Sequence, residues 1–269
     1  MYQNNKKNMK VRIFIVTYKD DFPWLKYLLR SLEKYAEGFS GITIVSDYIS
    51  SEDTIPEDTL NVVKSIPLDV FYVKPPDNTP WLSEEWGPAR PGYYWQQWLK
   101  LSCFDYCNED ICMQIDSDCI LKSKLTPEDL QSKAGKWYWN FRPWSSIPEP
   151  RWKLYTDKMI GMETVNQGMM DRTFIFTRDV TKRLLEYCGK QFDLQELTWE
   201  YISGNKIKFS EYCMYGSFIE LIDKSPAYEV RVFPSAMEYR GIKEQFSVKY
   251  WSYGGMTEAI KKEYESYLE

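Results

Sequence analysis

Ile111-Cys112-Met113-Gln114-Ile115-Asp116-Ser117-Asp118 is the stretch that decides the fold of this chain. Five mostly apolar residues end abruptly in two carboxylates that are two positions apart. A β-strand places residues i and i+2 on one face. Asp116 and Asp118 therefore converge just beyond the carboxyl end of the predicted strand, the edge at which open α/β sheets bind ligands. Two carboxylates converging there suit a hard divalent cation that keeps some of its waters and binds a substrate's phosphates. About one Asp-x-Asp is expected by chance in a chain of this size, so the signal lies in its position. The ordinary alternative is an Asx turn or a helix cap.

The sequence before this stretch alternates strand and helix patterns. Val11 to Thr17 is a short apolar run that reads as a buried strand. Asp20-Asp21 followed by Pro23 signals a helix start, and Leu25, Leu28, Leu29, Leu32 and Tyr35 supply one apolar helix face. Ile42–Val45, closed by Ser46-Asp47, and Asp69–Val73 read as two further strands. Asp77 to Pro91, rich in Pro and Trp, reads as a long loop. Pro91-Gly92 opens a helix expected to run to about Cys107. Strands alternating with helices predict an α/β fold with a mostly parallel, mixed sheet flanked by helices.

Beyond Asp118 the texture is more irregular. A short turn or helix is expected at Leu125–Leu130, and strands at Trp137–Phe141, Thr173–Thr177 and, last, Glu229–Phe233. Asp179 is the expected cap of a helix through Cys188, Ser210 caps another with Glu211 in its first turn, and Thr257 caps a C-terminal helix. No linker is apparent, so residues 1–269 read as one domain.

Composition narrows the chemistry. The 269 residues are 43% hydrophobic, enough for a sizeable core. The net charge of −5, without a long basic stretch, argues against nucleic-acid binding. The chain contains no histidine. Ser-His-Asp and Cys-His catalysis within the chain are thereby excluded, as are His-ligated zinc and non-haem iron triads. Acid–base work falls to Asp, Glu, Lys, Tyr or Cys. The six cysteines form no Cys-x-x-Cys pair and read as buried free thiols in a reducing compartment. No apolar segment approaches membrane-spanning length, and the first apolar run is too short for a secretory leader; a soluble, cytoplasmic protein is expected. Eight of the 11 tryptophans lie between Trp81 and Trp152, a density that serves cores first and can stack on sugars and bases.

The order of elements resembles the nucleotide-sugar-dependent glycosyltransferases with a single Rossmann-like GT-A domain. The likeness is carried by Phe14-Ile15-Val16-Thr17-Tyr18 and its following helix, by Ile44-Val45-Ser46-Asp47 and by Asp116-Ser117-Asp118. Gly92–Leu101 and Ser210–Gly216 are similar to segments of small bacterial and phage-type members, which extends the expected setting to a host cytoplasm. The resemblance implies a nucleotide-sugar-binding half at 10–120 and an acceptor-binding half with a C-terminal helix at 121–269. It implies that Thr17 and Tyr18 contact the base and that Asp47 reads base or ribose. Asp116 and Asp118 would hold Mn²⁺ or Mg²⁺ against the diphosphate of a UDP-sugar, with Asp118 the more direct ligand and Asp116 meeting ribose or a metal-bound water. The later histidine ligand of many members has no counterpart here.

Gln97 and Lys100 are candidates for the donor sugar or diphosphate, although a solvated helix face is the preferred reading of both. Trp137, Trp139 and Trp144 are candidates for lining a carbohydrate or other hydroxyl acceptor, with core packing expected for at least one. If transfer inverts the sugar, a carboxylate base is needed; Glu211 is the first candidate and Asp171 the second. If it retains, Glu211 positions substrate instead.

Other functions fit less well. A sugar-nucleotide nucleotidyltransferase needs a Gly-rich basic loop after the first strand, where this chain has Tyr18-Lys19-Asp20-Asp21. A glycoside hydrolase with paired carboxylates fits the parallel pattern poorly. A non-catalytic carbohydrate-binding or structural protein of the same fold is the alternative from another class.

Overall fold

The computed structural model describes residues 9–47, 54–74, 91–147, 152–168, 173–191, 210–233, 246–249 and 254–269. The loop expected at 77–90 and the candidate base Asp171 lie outside them.

The centre is a five-stranded sheet of β1 (Val11–Thr17), β2 (Gly41–Asp47), β3 (Leu68–Val73), β4 (Ile111–Ile115) and β8 (Thr173–Thr177), in the order β3-β2-β1-β4-β8. The first four strands run parallel, and β8 is an antiparallel edge, with Cys112 opposite Phe176. The mostly parallel α/β fold read from the alternating pattern is therefore present. Every residue of β1 and β4 is buried, as expected of central parallel strands covered on both faces. In β3 the inward positions are only half-buried, fitting an edge.

Helix α1 (Phe22–Tyr35) buries Leu25, Leu28, Leu29 and Leu32 completely, as their spacing requires. The helix starts where Asp20-Asp21 and Pro23 signal it, with Asp21 at the N-cap position and Pro23 in the first turn, although the Asp21 side chain makes no capping bond. The short α2 (Glu57–Leu60) lies between β2 and β3, and α3 (Pro91–Leu101) leads to β4. Helix α3 stops at Leu101, short of Cys107, and a 3-10 turn at Cys103–Asp105 follows. The six cysteines are free.

A smaller sheet is built from β6 (Trp137–Pro143), β7 (Asn166–Gln167) and β9 (Tyr228–Val232), in the order β7-β6-β9. Aromatic rings fill the space between it and β8. Trp139 stacks on Tyr215 with centroids 5.0 Å apart, Tyr215 on Phe176 at 4.1 Å, and Phe174 on Tyr212 at 3.7 Å. Close approach here needs Gly216, whose Cβ, if present, would lie 2.5 Å from Trp139 Nε1. Around this spine pack α4 (Lys153–Ile160), α5 (Arg178–Gln191) and α6 (Glu211–Ser217), which continues into a π-helical turn at Phe218–Asp223. Helix α5 begins at Arg178, whose N–H bonds the Asp110 carbonyl, so Asp179 sits inside the first turn and is not the cap expected of it. Ser210 does cap α6, accepting from Cys213 N–H at 3.3 Å.

The strand expected at Glu229–Phe233 is β9, but it is not the last. β10 (Ser247–Lys249) pairs antiparallel with β5 (Cys119–Leu121), which directly follows the Asp-x-Asp stretch. The C-terminal α7 (Glu258–Leu268), capped by Thr257 as expected, lies against α1. Arg30 grips Glu265 with two parallel bonds of 2.5 and 2.7 Å, and Tyr264 packs edge-on to Trp24. No helix among the described residues is long and apolar enough to cross a membrane.

Candidate functional site

Strand order reverses at β1: β2 and β3 lie to one side and β4 to the other. Crevices at such reversals, outside the carboxyl ends of the strands, are where open α/β sheets take ligands. Phe14 pairs with Gln114, so Thr17 and Ser117 each lie three residues beyond one register pair, at the same edge. After Ile115 the chain turns tightly, with Cys119 N–H donating to the Asp116 carbonyl at 3.1 Å. Ser117 points inward and donates to Asp21 Oδ2 at 2.8 Å. The carboxylate that looked like a helix-start signal thus pins the loop after β1 to the loop after β4.

The two carboxylates meet ammonium groups. Asp116 Oδ1 accepts from Lys100 Nζ at 2.6 Å and from the Tyr212 hydroxyl at 3.2 Å. Asp116 Oδ2 accepts from Lys249 Nζ at 2.5 Å, and the same nitrogen lies 3.2 Å from Asp118 Oδ1. Lys100 also reaches Glu211 Oε1 at 2.9 Å and sits over the Tyr212 ring, 4.6 Å from its centroid. The Gln97 amide turns its NH₂ to the Glu211 carboxylate. Lys100 is 3% and Glu211 0% exposed, whereas Asp116 and Lys249 each keep 18% of the side chain accessible and face solvent.

Electrostatics follow from this arrangement. Burial alone would strip the charge from Lys100, but Asp116 and Glu211 more than reverse that and hold it firmly protonated. Burial would raise Asp116, and the two ammonium groups outweigh it and hold the carboxylate well below its usual range. Asp118 is lifted by burial to about 6, with Lys249 pulling the other way and Asp116 adding to the rise. Glu211 is raised by burial against the opposing pull of Lys100. Lys249 stays charged because Asp116 and Asp118 overcome its desolvation.

The structure therefore brings Asp116, Asp118, Gln97, Lys100 and Glu211 into one network. The preferred reading of Gln97 and Lys100 as a solvated face is corrected: both are buried because the carboxylates of Asp116 and Glu211 lie above them. Thr17 ends β1 with a buried hydroxyl that meets no partner among the described residues. Tyr18 is half-buried in the turn after β1, and Asp47 ends β2 opposite Val73. Trp137, Trp139 and Trp144 are all at least 96% buried, and Trp139 belongs to the aromatic spine. Trp144 donates to Thr164 Oγ1 at 2.9 Å. Sequence reasoning missed Lys249, Tyr212 and Asp21, as well as Tyr264, whose hydroxyl donates to the Asp118 carbonyl at 3.2 Å.

Two hard carboxylates at a strand end are suitable ligands for Mn²⁺ or Mg²⁺ by type. By position they do not fit one as they stand, because the Lys249 ammonium already bridges them. Among the described residues no three Asp, Glu, Cys or His side chains form a group able to hold a metal ion.

No curated protein matches the chain. The pattern of a family described as "Family of unknown function (DUF6492)" matches residues 13–229, a span that runs from β1 into β9 and takes in Asp116, Asp118 and Glu211. With well over half of its length matched, the chain belongs to this family.

Proposed function

We propose that this protein is a glycosyltransferase of the GT-A kind that moves a sugar from a nucleotide sugar, a UDP-sugar in the first instance, to a hydroxyl acceptor. The observation that carries the reading is the placing of Asp116 and Asp118, with the two lysines they hold, beyond β4 at the reversal of strand order. The Thr17 hydroxyl at the neighbouring strand end, without a partner among the described residues, supplies a polar group for a ligand to meet.

The chemistry asks for positive charge at that corner. As the bond between sugar and oxygen breaks, the departing nucleoside diphosphate accumulates negative charge. A cation fixed beside it stabilises that charge more than the ground state. In this reading Thr17 and Tyr18 receive the base and Asp47 the base or ribose. Glu211, fully buried and tied to Lys100, is a positioning residue that holds the Lys100 ammonium against Asp116. Its place as an acceptor base would require it to leave that ion pair.

A panel of nucleotide sugars, with release of the nucleoside diphosphate as readout and Mn²⁺ both present and chelated, tests the proposal. The expected result is release from one UDP-sugar, lost in Asp116→Asn with the circular dichroism spectrum unchanged. Absence of release, together with no thermal shift from any nucleotide, would replace it with a carbohydrate-binding role.

A further inference from the structure

We propose that the Lys249 ammonium is the resident cation of the Asp116–Asp118 pair, occupying the place a divalent ion would take, so that a nucleoside diphosphate is met here by lysine and not by metal. The proposal rests on the transferase reading for its ligand, but not for the identity of the cation.

The geometry is specific. One nitrogen reaches one oxygen of each carboxylate, at 2.5 Å from Asp116 Oδ2 and 3.2 Å from Asp118 Oδ1. A divalent ion bridging the same two oxygens would stand against that ammonium, and two cations at such separation repel strongly. Nor is Lys249 a surface side chain that has wandered in. The pairing of β10 with β5 sets Lys249 opposite Cys119, immediately beside Asp118. Val248, one residue earlier and so on the other face, packs against the cluster of Trp24, Ile120 and Tyr264. The ladder continues in a bond from Lys122 N–H to the Phe246 carbonyl at 2.9 Å. The strand is thus anchored by one face and by its ladder to β5, and holds the ammonium where it is. Lys249 keeps 18% of its side chain accessible, the same as Asp116, so an anion arriving at the crevice can reach it. The exposed part of Lys249 is where a phosphate oxygen would arrive, while Lys100, deeper and held by two carboxylates, keeps Asp116 charged from below.

Two measurements on the full-length protein test this. Mn²⁺ uptake is followed by electron paramagnetic resonance without nucleotide, in wild type, Lys249→Met and Lys249→Gln. The wild type is expected to leave Mn²⁺ free, and removal of the competing charge should tighten Mn²⁺ binding about tenfold or more. UDP binding is then measured by calorimetry in excess chelator and in Mn²⁺. Wild type is expected to bind equally in both, whereas either variant should lose binding in chelator and regain it with Mn²⁺. Wild-type protein that takes up Mn²⁺ without nucleotide, or that binds UDP only with Mn²⁺, overturns the proposal. The wild-type arms decide even if neither variant folds. If no form binds UDP but the variants gain a Mn²⁺ site, the cation assignment stands and the transferase reading falls.

Discussion

Replacing Lys100 with methionine keeps the length of the side chain and removes its charge from the buried end of the network, where Glu211 lies. Lys100 is 3% exposed, 2.6 Å from Asp116 Oδ1 and 2.9 Å from Glu211 Oε1. Asp116 retains Lys249, but Glu211, 0% exposed, keeps among the described residues only the neutral Gln97 amide and its own backbone environment. Removing one partner of a buried pair costs about 3–5 kcal/mol, because the other charge is left uncompensated. That is a large share of a typical stability of about 5–15 kcal/mol, and at roughly 2–4 °C per kcal/mol it lowers Tm by about 6–20 °C. The loss should depend on pH in a definite direction. Burial already raises Glu211, and without Lys100 to pull it down its folded pKa rises further. A carboxyl with a raised folded pKa contributes stability below its unfolded value and loses it as pH rises through the folded one. The deficit of Lys100→Met is therefore expected to be smaller near pH 5 than near pH 8, in urea unfolding followed by tryptophan fluorescence. The double variant Lys100→Met/Glu211→Gln, with no buried carboxylate left unpaired by the change, should recover about 1–3 kcal/mol over the single one. A single variant within about 1 kcal/mol of wild type, or a double variant that is additively worse, would refute the claim that Lys100 neutralises Glu211.

Two other changes test the site and its support. Asp118 has its pKa lifted from 3.8 to about 6, so the stability it contributes is present below its unfolded value and lost as pH rises through about 6. Asp118→Asn is accordingly expected to raise the urea midpoint above that of wild type near pH 8 and to leave it unchanged near pH 4, with equal midpoints at both telling against the assignment. Gly216→Ala would set a Cβ 2.5 Å from the buried Trp139 Nε1 and 3.2 Å from Gly168 Cα. The overpacking, about 1–3 kcal/mol, should exceed the gain of about 1 kcal/mol from helix propensity, and a variant with a higher Tm than wild type would show that the aromatic spine yields.

Local pattern carried most of the sheet. Val11–Thr17, Ile42–Val45, Ile111–Ile115 and Thr173–Thr177 are readable because a run of apolar residues between polar breaks reports its own burial. The i, i+3, i+4 leucines of α1 do the same. What local pattern cannot carry is the partner of a charged side chain. Asp21 looks like a helix start from its neighbours, yet its carboxylate serves Ser117, 96 residues away. Lys100 sits on a helix face that would ordinarily be solvated, and only the arrival of Asp116 and Glu211 makes its burial tolerable. Asp116 and Asp118 were legible by position, since a strand end needs no partner to be recognised. Lys249 was not, because a three-residue strand such as β10 leaves too short a pattern to read and its meaning comes entirely from β5.

The bond between Lys249 and Asp116 spans 133 residues and has a consequence for synthesis. Chains fold as they leave the ribosome, N-terminal regions first. β1 to β4 can assemble early, yet the corner beyond β4 then holds Asp116 with Lys100 in place and Lys249, the bridge to Asp118, still untranslated. Such groups stay hydrated until they are neutralised, since burying an uncompensated charge is costly. The crevice should accordingly remain wet and open in the nascent protein, and close only when β10 docks. A premature stop after β9 would leave the main sheet intact and the Asp116–Asp118 corner without Lys249.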